Sequence, residues 1–216
     1  MRPSTCLLLV PTAGERRVIE RAIGSDARGR LQIELCGFGP IAAAARAAHL
    51  LAALEPASVM LVGIAGTMDD RLSIGQAYRF DEVVCYGVGV GGDGTFQPAA
   101  AVGWPQWPGN PSAGQQAIGD RIVRPGTTAG NVLLTACAAS AGPADVALRR
   151  ELISDAVAED MEGFGVAVAC ELAGVPWTII RGISNRAGDR DHSHWCVEPA
   201  LEAAAAVALE TLTEAP

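Results

Sequence analysis

Lysine is absent from this chain: all 16 basic residues are arginine. A P-loop lysine, a Schiff-base lysine and a kinase-type lysine are therefore excluded outright. Aromatic residues are scarce, at 5%, so the core must be built mainly from Ala, Val, Leu and Ile. Cys6, Cys36, Cys85, Cys137, Cys170 and Cys196 lie far apart and form no C-x-x-C pair. That argues against a zinc site or a thioredoxin-like motif, and buried free thiols in a reducing compartment are expected. No G-x-S-x-G elbow occurs, which removes the serine hydrolases of the α/β type. No apolar run approaches the ~20 residues of a membrane span. The run at 6–10 is shorter than the ~7–15 residues of a signal-peptide core. Positive charge is also missing as a patch. The net charge is −8, so no nucleic-acid partner is expected, and the charge reads as keeping a cytoplasmic protein soluble.

What is present is a chain of 216 residues, half hydrophobic, with 25 glycines. Strand and helix patterns alternate along it. CLLLV (6–10) reads as a buried strand, and GERRVIERAI carries Val18, Ile19, Ala22 and Ile23 on one side of a helix. LQIELC (31–36) is a second strand. GFGP then opens a helix over 41–54, with Pro40 suited to its first turn. SVMLVGIAG (58–66) is a third strand, and GQAYRFDEVVCYG (75–87) reads as one longer strand. Residues 87 to 120, rich in Pro and Gly and holding Trp104 and Trp107, read as a functional loop or excursion. The strands resume at 126–136, with a helix at 143–154, a short strand at 156–160, a helix closed by Gly174, a last strand at 176–184 and a final helix at 198–212. The expectation is one α/β domain over 1–216, three layers with a mixed central sheet. Such sheets bind ligands beyond the carboxyl ends of their strands. The candidate regions are therefore 11–15, 63–67, 130–135, 159–162 and 181–185.

Taken singly, the polar residues in those regions are ambiguous. Glu15 fits a first-turn acid favoured by the helix dipole, or a carboxylate that orients and deprotonates water. Glu159, Asp160 and Glu162 fit helix capping. The helix behind them is apolar nearly all round, so an acid leading it is as well placed to face a cavity and bind paired hydroxyls. GFGP and GIAGT fit tight turns or close backbone approach to a ligand. GDRDHSHW (188–195) fits a polar loop before the last helix better than a metal site.

Together the pieces follow a known order. LLLVPTAGERRVI, CGFGPIAAAARAA, VGIAGTMDDRLSIGQAY and AVAEDMEGFGVAVACELAGVPWTIIRGISNRAGD make the chain resemble the purine nucleosidases of the nucleoside phosphorylase superfamily. The match covers most of the chain outside 86–125. The resemblance implies a nucleoside phosphorylase-like fold and a small-molecule purine nucleoside as partner. It implies a homo-oligomer, and neither a metal nor another cofactor. Residue by residue, it implies Glu15 as the water-activating acid and Met161 with Glu162 as the ribose-binding pair. Ala65 and Gly66 become the glycine-rich strand end near ribose and base, and Leu133 and Leu134 the base-stacking segment. Arg181 becomes a supporting group paired with Asp160.

Asn185 departs from the adenine-specific members, which carry Asp there. An amide donates through its NH2 and accepts through its C=O, a pairing that fits a 6-oxopurine. GISN followed by GDRD resembles the futalosine hydrolases, whose substrate carries hypoxanthine and a carboxyphenyl tail; Arg190, His192 and His194 are candidates to meet that tail. A methylthioadenosine/S-adenosylhomocysteine nucleosidase, a phosphorylase and a non-catalytic nucleoside binder remain the alternatives.

Overall fold

The computed structural model describes residues 5–24, 29–92, 94–127 and 130–214. Thr128 and Ala129, part of the expected 126–136 strand, lie outside them. In chain order the elements are β1 (Cys6–Val10), α1 (Ala13–Ile23), β2 (Leu31–Leu35), α2 (Pro40–Leu54), β3 (Ser58–Thr67), β4 (Ala77–Phe80), β5 (Glu82–Tyr86), β6 (Gly89–Val90), β7 (Gln97–Pro98), β8 (Arg121–Val123), β9 (Val132–Ala136), α3 (Pro143–Leu152), β10 (Ala156–Asp160), α4 (Gly163–Ala173), β11 (Trp177–Arg186) and α5 (Val197–Glu214). Among the described residues no helix is long and apolar enough to cross a membrane.

The period-two alternation of strand side chains produces the layers. Leu7, Leu9, Val59 and Leu61 point into one core, against Ala43 and Ala47 of α2 and Val166 and Ala167 of α4. Cys6, Leu8, Val10, Met60 and Val62 point into the other, against Ile19 and Ile23 of α1 and Leu201, Ala204 and Ala208 of α5. Helices therefore cover both faces of a mixed sheet, as expected. Because the side chains are small, the helices sit close. A Cβ on Gly165 of α4 would strike the Pro40 carbonyl at the start of α2. Of the six thiols, Cys6, Cys36 and Cys170 are buried, but Cys137 and Cys196 are exposed. These two flank elements, just past β9 and just before α5, where no layer covers them.

The expected strand over 75–87 is two. β4 pairs with β11, whereas β5 pairs with β9 and β8. The chain changes neighbours at Asp81, whose carboxylate accepts from Arg124 Nε at 2.9 Å. Within the irregular region, β6 and β7 form a small separate hairpin, and β8 joins the main sheet at its edge.

The site is positioned by the way β3 is shared. β11 runs along one edge of β3, from Val59 to Thr67. β1 takes the start of the other edge, ending with Leu9 opposite Leu61. β10 returns to that edge, antiparallel, only at Gly66 and Thr67. Residues 62–65 thus face no described strand on that side, and their unpaired backbone lies between the ends of β1 and β10.

Candidate active site

A cavity of about 550 Å³ opens at this break in the sheet. Its lining is contributed by the turn after β1, the second half of β3, the β10–α4 junction, the end of β11 and the loop before α5. Glu15 fills the break itself. Its Oε1 accepts the Ile64 N–H at 3.1 Å, the hydrogen bond that an adjacent strand would otherwise make. Its Oε2 accepts from the Thr12 backbone N–H at 3.1 Å and the Thr12 hydroxyl at 2.7 Å. Thr12 in turn caps α1 by accepting from the Glu15 N–H. This capping box is worth about 1 kcal/mol to a helix, and here it also locks a buried carboxylate on the cavity wall.

The β10–α4 junction supplies two more acids. Asp160 accepts from the Thr135 hydroxyl at 2.6 Å and the Gly163 N–H at 2.8 Å. Thr135 accepts from the Phe164 N–H at 2.9 Å, so the open N–H groups of α4 are satisfied from β9 and β10. Glu162 instead reaches away from its own helix. It accepts from the Gly39 N–H at 2.9 Å and from Arg181 Nη2 at 3.1 Å. Arg181 is fully buried and also donates to Asp160 through Nε at 3.0 Å and through Nη2. Burial works against its charge, but Asp160, Glu162 and Glu15 outweigh that and hold its pKa above the ordinary value.

One consequence is an unused donor. Arg181 Nη1 is buried and has no partner, one of two such side-chain atoms among the described residues. A Cβ on Gly63 would collide with that nitrogen and lie 2.9 Å from Glu15 Oε1, so only glycine leaves room for the guanidinium and the carboxylate. A second consequence concerns Glu162. Burial pushes its carboxyl up to about 7, against the pull of Arg181 and with the help of neighbouring Asp160.

Asn185 stands on the far side of β3. The pairing of β11 slips between Ile183 and Asn185, which face Ala65 and Gly66 in succession. This bulge turns Ser184 and Asn185 to the same cavity, where strict alternation would separate them. The Asn185 Nδ2 donates to the Arg186 carbonyl at 2.7 Å, and its Oδ1 accepts from the Ser184 hydroxyl at 2.7 Å. A backbone carbonyl can only accept, so the nitrogen side of the amide is set by chemistry. One N–H and one lone pair of the amide remain unused by these two bonds.

Comparison with known proteins places this geometry. The model of the Phosphorylase superfamily matches residues 6–214. The chain belongs to the Phosphorylase superfamily. It is 36% identical over 177 residues to the futalosine hydrolase of Streptomyces coelicolor, covering 77% of this chain and 72% of that protein. It is 31% identical over 188 residues to the futalosine hydrolase of Thermus thermophilus, covering 82% and 79%. Its fold matches the crystal structure of a 5′-methylthioadenosine/S-adenosylhomocysteine nucleosidase from Colwellia psychrerythraea in complex with adenine, with a TM-score of 0.78 at 19% identity over 99% of this chain and 96% of that one. These relatives are nucleosidases, so the superfamily chemistry here is that of an N-glycosyl hydrolase.

Against the superfamily resemblance, the structure brings most of the expected residues together. Glu15, Ala65, Gly66, Asp160, Met161, Glu162 and Asn185 all line the one cavity. Arg181 lies behind it, paired with Asp160. Leu133 and Leu134 are not brought there. Leu133 packs into the core under α2 and α4, and Leu134 into the cluster with Met68 and Ile153. Both are mid-strand residues with no exposed surface, and β9 reaches the cavity only beyond its end, at Ala139. The rule that ligands lie past strand ends pointed there, but the strand runs to Ala136, farther than its expected ligand region. Thr12 and Ser184 line the cavity from within the expected regions 11–15 and 181–185, where no role was assigned to them, and Phe38 lines it from outside those regions. At the mouth, Arg190 and His192 join the lining beside Trp195. Arg190 stacks over the Trp195 ring at 5.1 Å, whereas His194 is turned to Asp189 at 3.1 Å.

Proposed function

We propose that this chain hydrolyses the N-glycosidic bond of futalosine, releasing hypoxanthine and leaving dehypoxanthine futalosine for menaquinone biosynthesis. The observation that carries the choice of base is the Asn185 amide, oriented by the Arg186 carbonyl and the Ser184 hydroxyl. Its free N–H suits O6 of a 6-oxopurine, where negative charge gathers as the base departs. Its free lone pair suits N7–H. The two futalosine hydrolases that resemble the chain over most of its length support the same reading.

The remaining groups then take their roles from geometry. Glu162 binds the ribose hydroxyls beside Met161. The N–C1′ bond breaks with its electron pair moving onto the purine, leaving an oxocarbenium-like sugar. Glu15, Asp160 and Glu162 surround it with carboxylates that only Arg181 offsets within the cluster, a field that favours the cation. A water held by Glu15 at the cavity wall attacks C1′ and gives its proton to Glu15. That proton passes through solvent to the hypoxanthine. Arg190, His192 and Trp195 at the mouth meet the carboxyphenyl tail, and groups of this chain and water suffice for every step.

The reading includes a cytoplasmic location and extends to a homo-oligomer, because Phe38 just before α2 and Ile41 in its first turn stand exposed and offer an apolar contact to a second copy. The deciding experiment incubates purified protein with futalosine and, separately, methylthioadenosine in phosphate-free buffer and identifies the base released. Hypoxanthine from futalosine at the higher catalytic efficiency is the expected result. Preferential adenine release would assign the chain to the methylthioadenosine nucleosidases, and a requirement for phosphate would make it a phosphorylase.

A further inference from the structure

Glu159 lines the cavity beside Asp160, but its carboxylate belongs to a different cluster, one the mechanism above does not use. Its Oε1 accepts the Ser140 N–H at 2.9 Å, and its Oε2 accepts from the Ser140 hydroxyl and from Arg149 Nη1, both at 2.6 Å. Arg149 donates its other terminal nitrogen to the Ala138 carbonyl at 2.8 Å. It also stacks over the Tyr86 ring at 5.1 Å. Both charged residues are buried. Two charges taken out of water are an expensive way to stabilise a fold, because an apolar pair of the same volume does as well or better. The geometry shows what this pair achieves that an apolar pair would not.

Every bond it makes to the backbone falls on the two neighbours of Ala139. Ala138 is held through its carbonyl and Ser140 through its N–H, so the peptide units on either side of Ala139 are fixed by a rigid ionic clamp. Ala139 is the point where the loop after β9 reaches the cavity. The same loop continues to Gly142, which touches Gly188 of the loop after β11: a Cβ on Gly188 would sit 2.8 Å from the Gly142 carbonyl. The sheet register completes the frame. Glu159 of β10 and Asn185 of β11 both face Gly66 of β3, from its two edges. The clamp and the base-reading amide are thus tied to one another through a single β3 residue and through one loop-to-loop contact.

We propose that Arg149 and Glu159 are positioning residues for binding and release of the base: together they hold the Ala139 wall of the cavity at a set distance from Asn185. This rests on the reading of Asn185 as the group that faces the base. A clamp of this kind acts on the fit of the nucleoside more than on the chemical step, since Glu15 and Glu162 are held by other partners.

The test separates position from stability. Glu159→Gln keeps the shape but weakens the ionic bonds. It is expected to raise KM for the nucleoside about tenfold while kcat changes less than about threefold, and to speed amide hydrogen exchange at Ser140. Arg149→Met and Glu159→Met alone leave a buried charge without its partner and are expected to melt early. The double variant Arg149→Met with Glu159→Met removes both charges and is expected to recover the melting temperature. Its Ser140 amide should remain fast to exchange and its KM high. A double variant with wild-type KM and kcat, or Ser140 exchange unchanged by loss of the pair, overturns the proposal. Ser140 exchange is read without substrate. If the wild-type protein releases no base, the proposed function fails while the clamp is still tested.

Discussion

Two neighbouring carboxylates, Glu159 and Asp160, each hold a buried arginine, and the two clusters behave differently. In the Arg149 cluster no buried polar atom lacks a partner. In the Arg181 cluster, Nη1 is left open and Glu162 carries a carboxyl raised to about 7. A saturated network holds a shape, whereas the Arg181 network presents Asp160 and Glu162 at the cavity wall with a carboxyl that burial makes easier to protonate. The contrast also explains why burial and ion pairing alone do not mark catalytic residues. Both clusters are buried and ion-paired, but only one has unspent capacity.

The sharpest way to break this comparison is to neutralise the acids assigned to the chemistry. Glu15→Gln and Glu162→Gln are each expected to lower kcat by on the order of 10²–10⁴, with melting temperatures close to wild type. A larger loss of activity from Glu159→Gln than from Glu162→Gln would invert the assignment. Next in size is the effect of Asn185→Asp. An oxygen in place of Nδ2 would face the Arg186 carbonyl, acceptor against acceptor, and any proton that relieves this is donated to that carbonyl, so the free N–H that suits O6 is lost. The ratio of kcat/KM for methylthioadenosine over futalosine should rise at least about tenfold. An unchanged ratio would remove the donor–acceptor basis for a 6-oxopurine.

The smallest effect is one of pH. If the ionised Glu162 is the working form, kcat/KM should fall as the pH drops through about 7. Asp160→Asn removes a negative neighbour and leaves Arg181 more fully to Glu162, so this limb should move to lower pH. The sign for stability is the reverse of the usual carboxylate case. A carboxyl raised from 4.5 to about 7 in the folded protein favours folding fully below 4.5, and that contribution is lost as the pH rises towards 7. Chemical denaturation at a series of pH values reads it directly.

Much of this was legible in the residues because it is local. The strands at 6–10 and 156–160 have the expected bounds, since each is a short segment set between turn signals. Gly174 ends α4 in the left-handed conformation that only glycine adopts freely. The pairing of Arg181 with Asp160 followed from the resemblance and is present. What escaped is non-local. The split at Asp81 depends on which strands lie to either side, and so does the choice of core that buries Leu133 and Leu134. β8 is three residues long and is defined by pairing with β5. The Ser184 bulge leaves no pattern in the sequence, because GIS reads as ordinary alternation until its partner strand is known. Glu15 was visible as an acid at a helix start, but its bond to Ile64 requires knowing that β3 has an open edge there.

That open edge couples two properties that are usually separate. Glu15 serves as the missing rung of a ladder: it takes the N–H that β1 would have taken had it continued along β3 past Leu9 and Leu61. Sliding β1 by one residue along β3 would therefore leave Ile64 unmatched and withdraw from the cavity the carboxylate proposed to take the water's proton. Strand register and the position of the proposed base form a single degree of freedom in this molecule, so a misregistered fold is expected to be an inactive one.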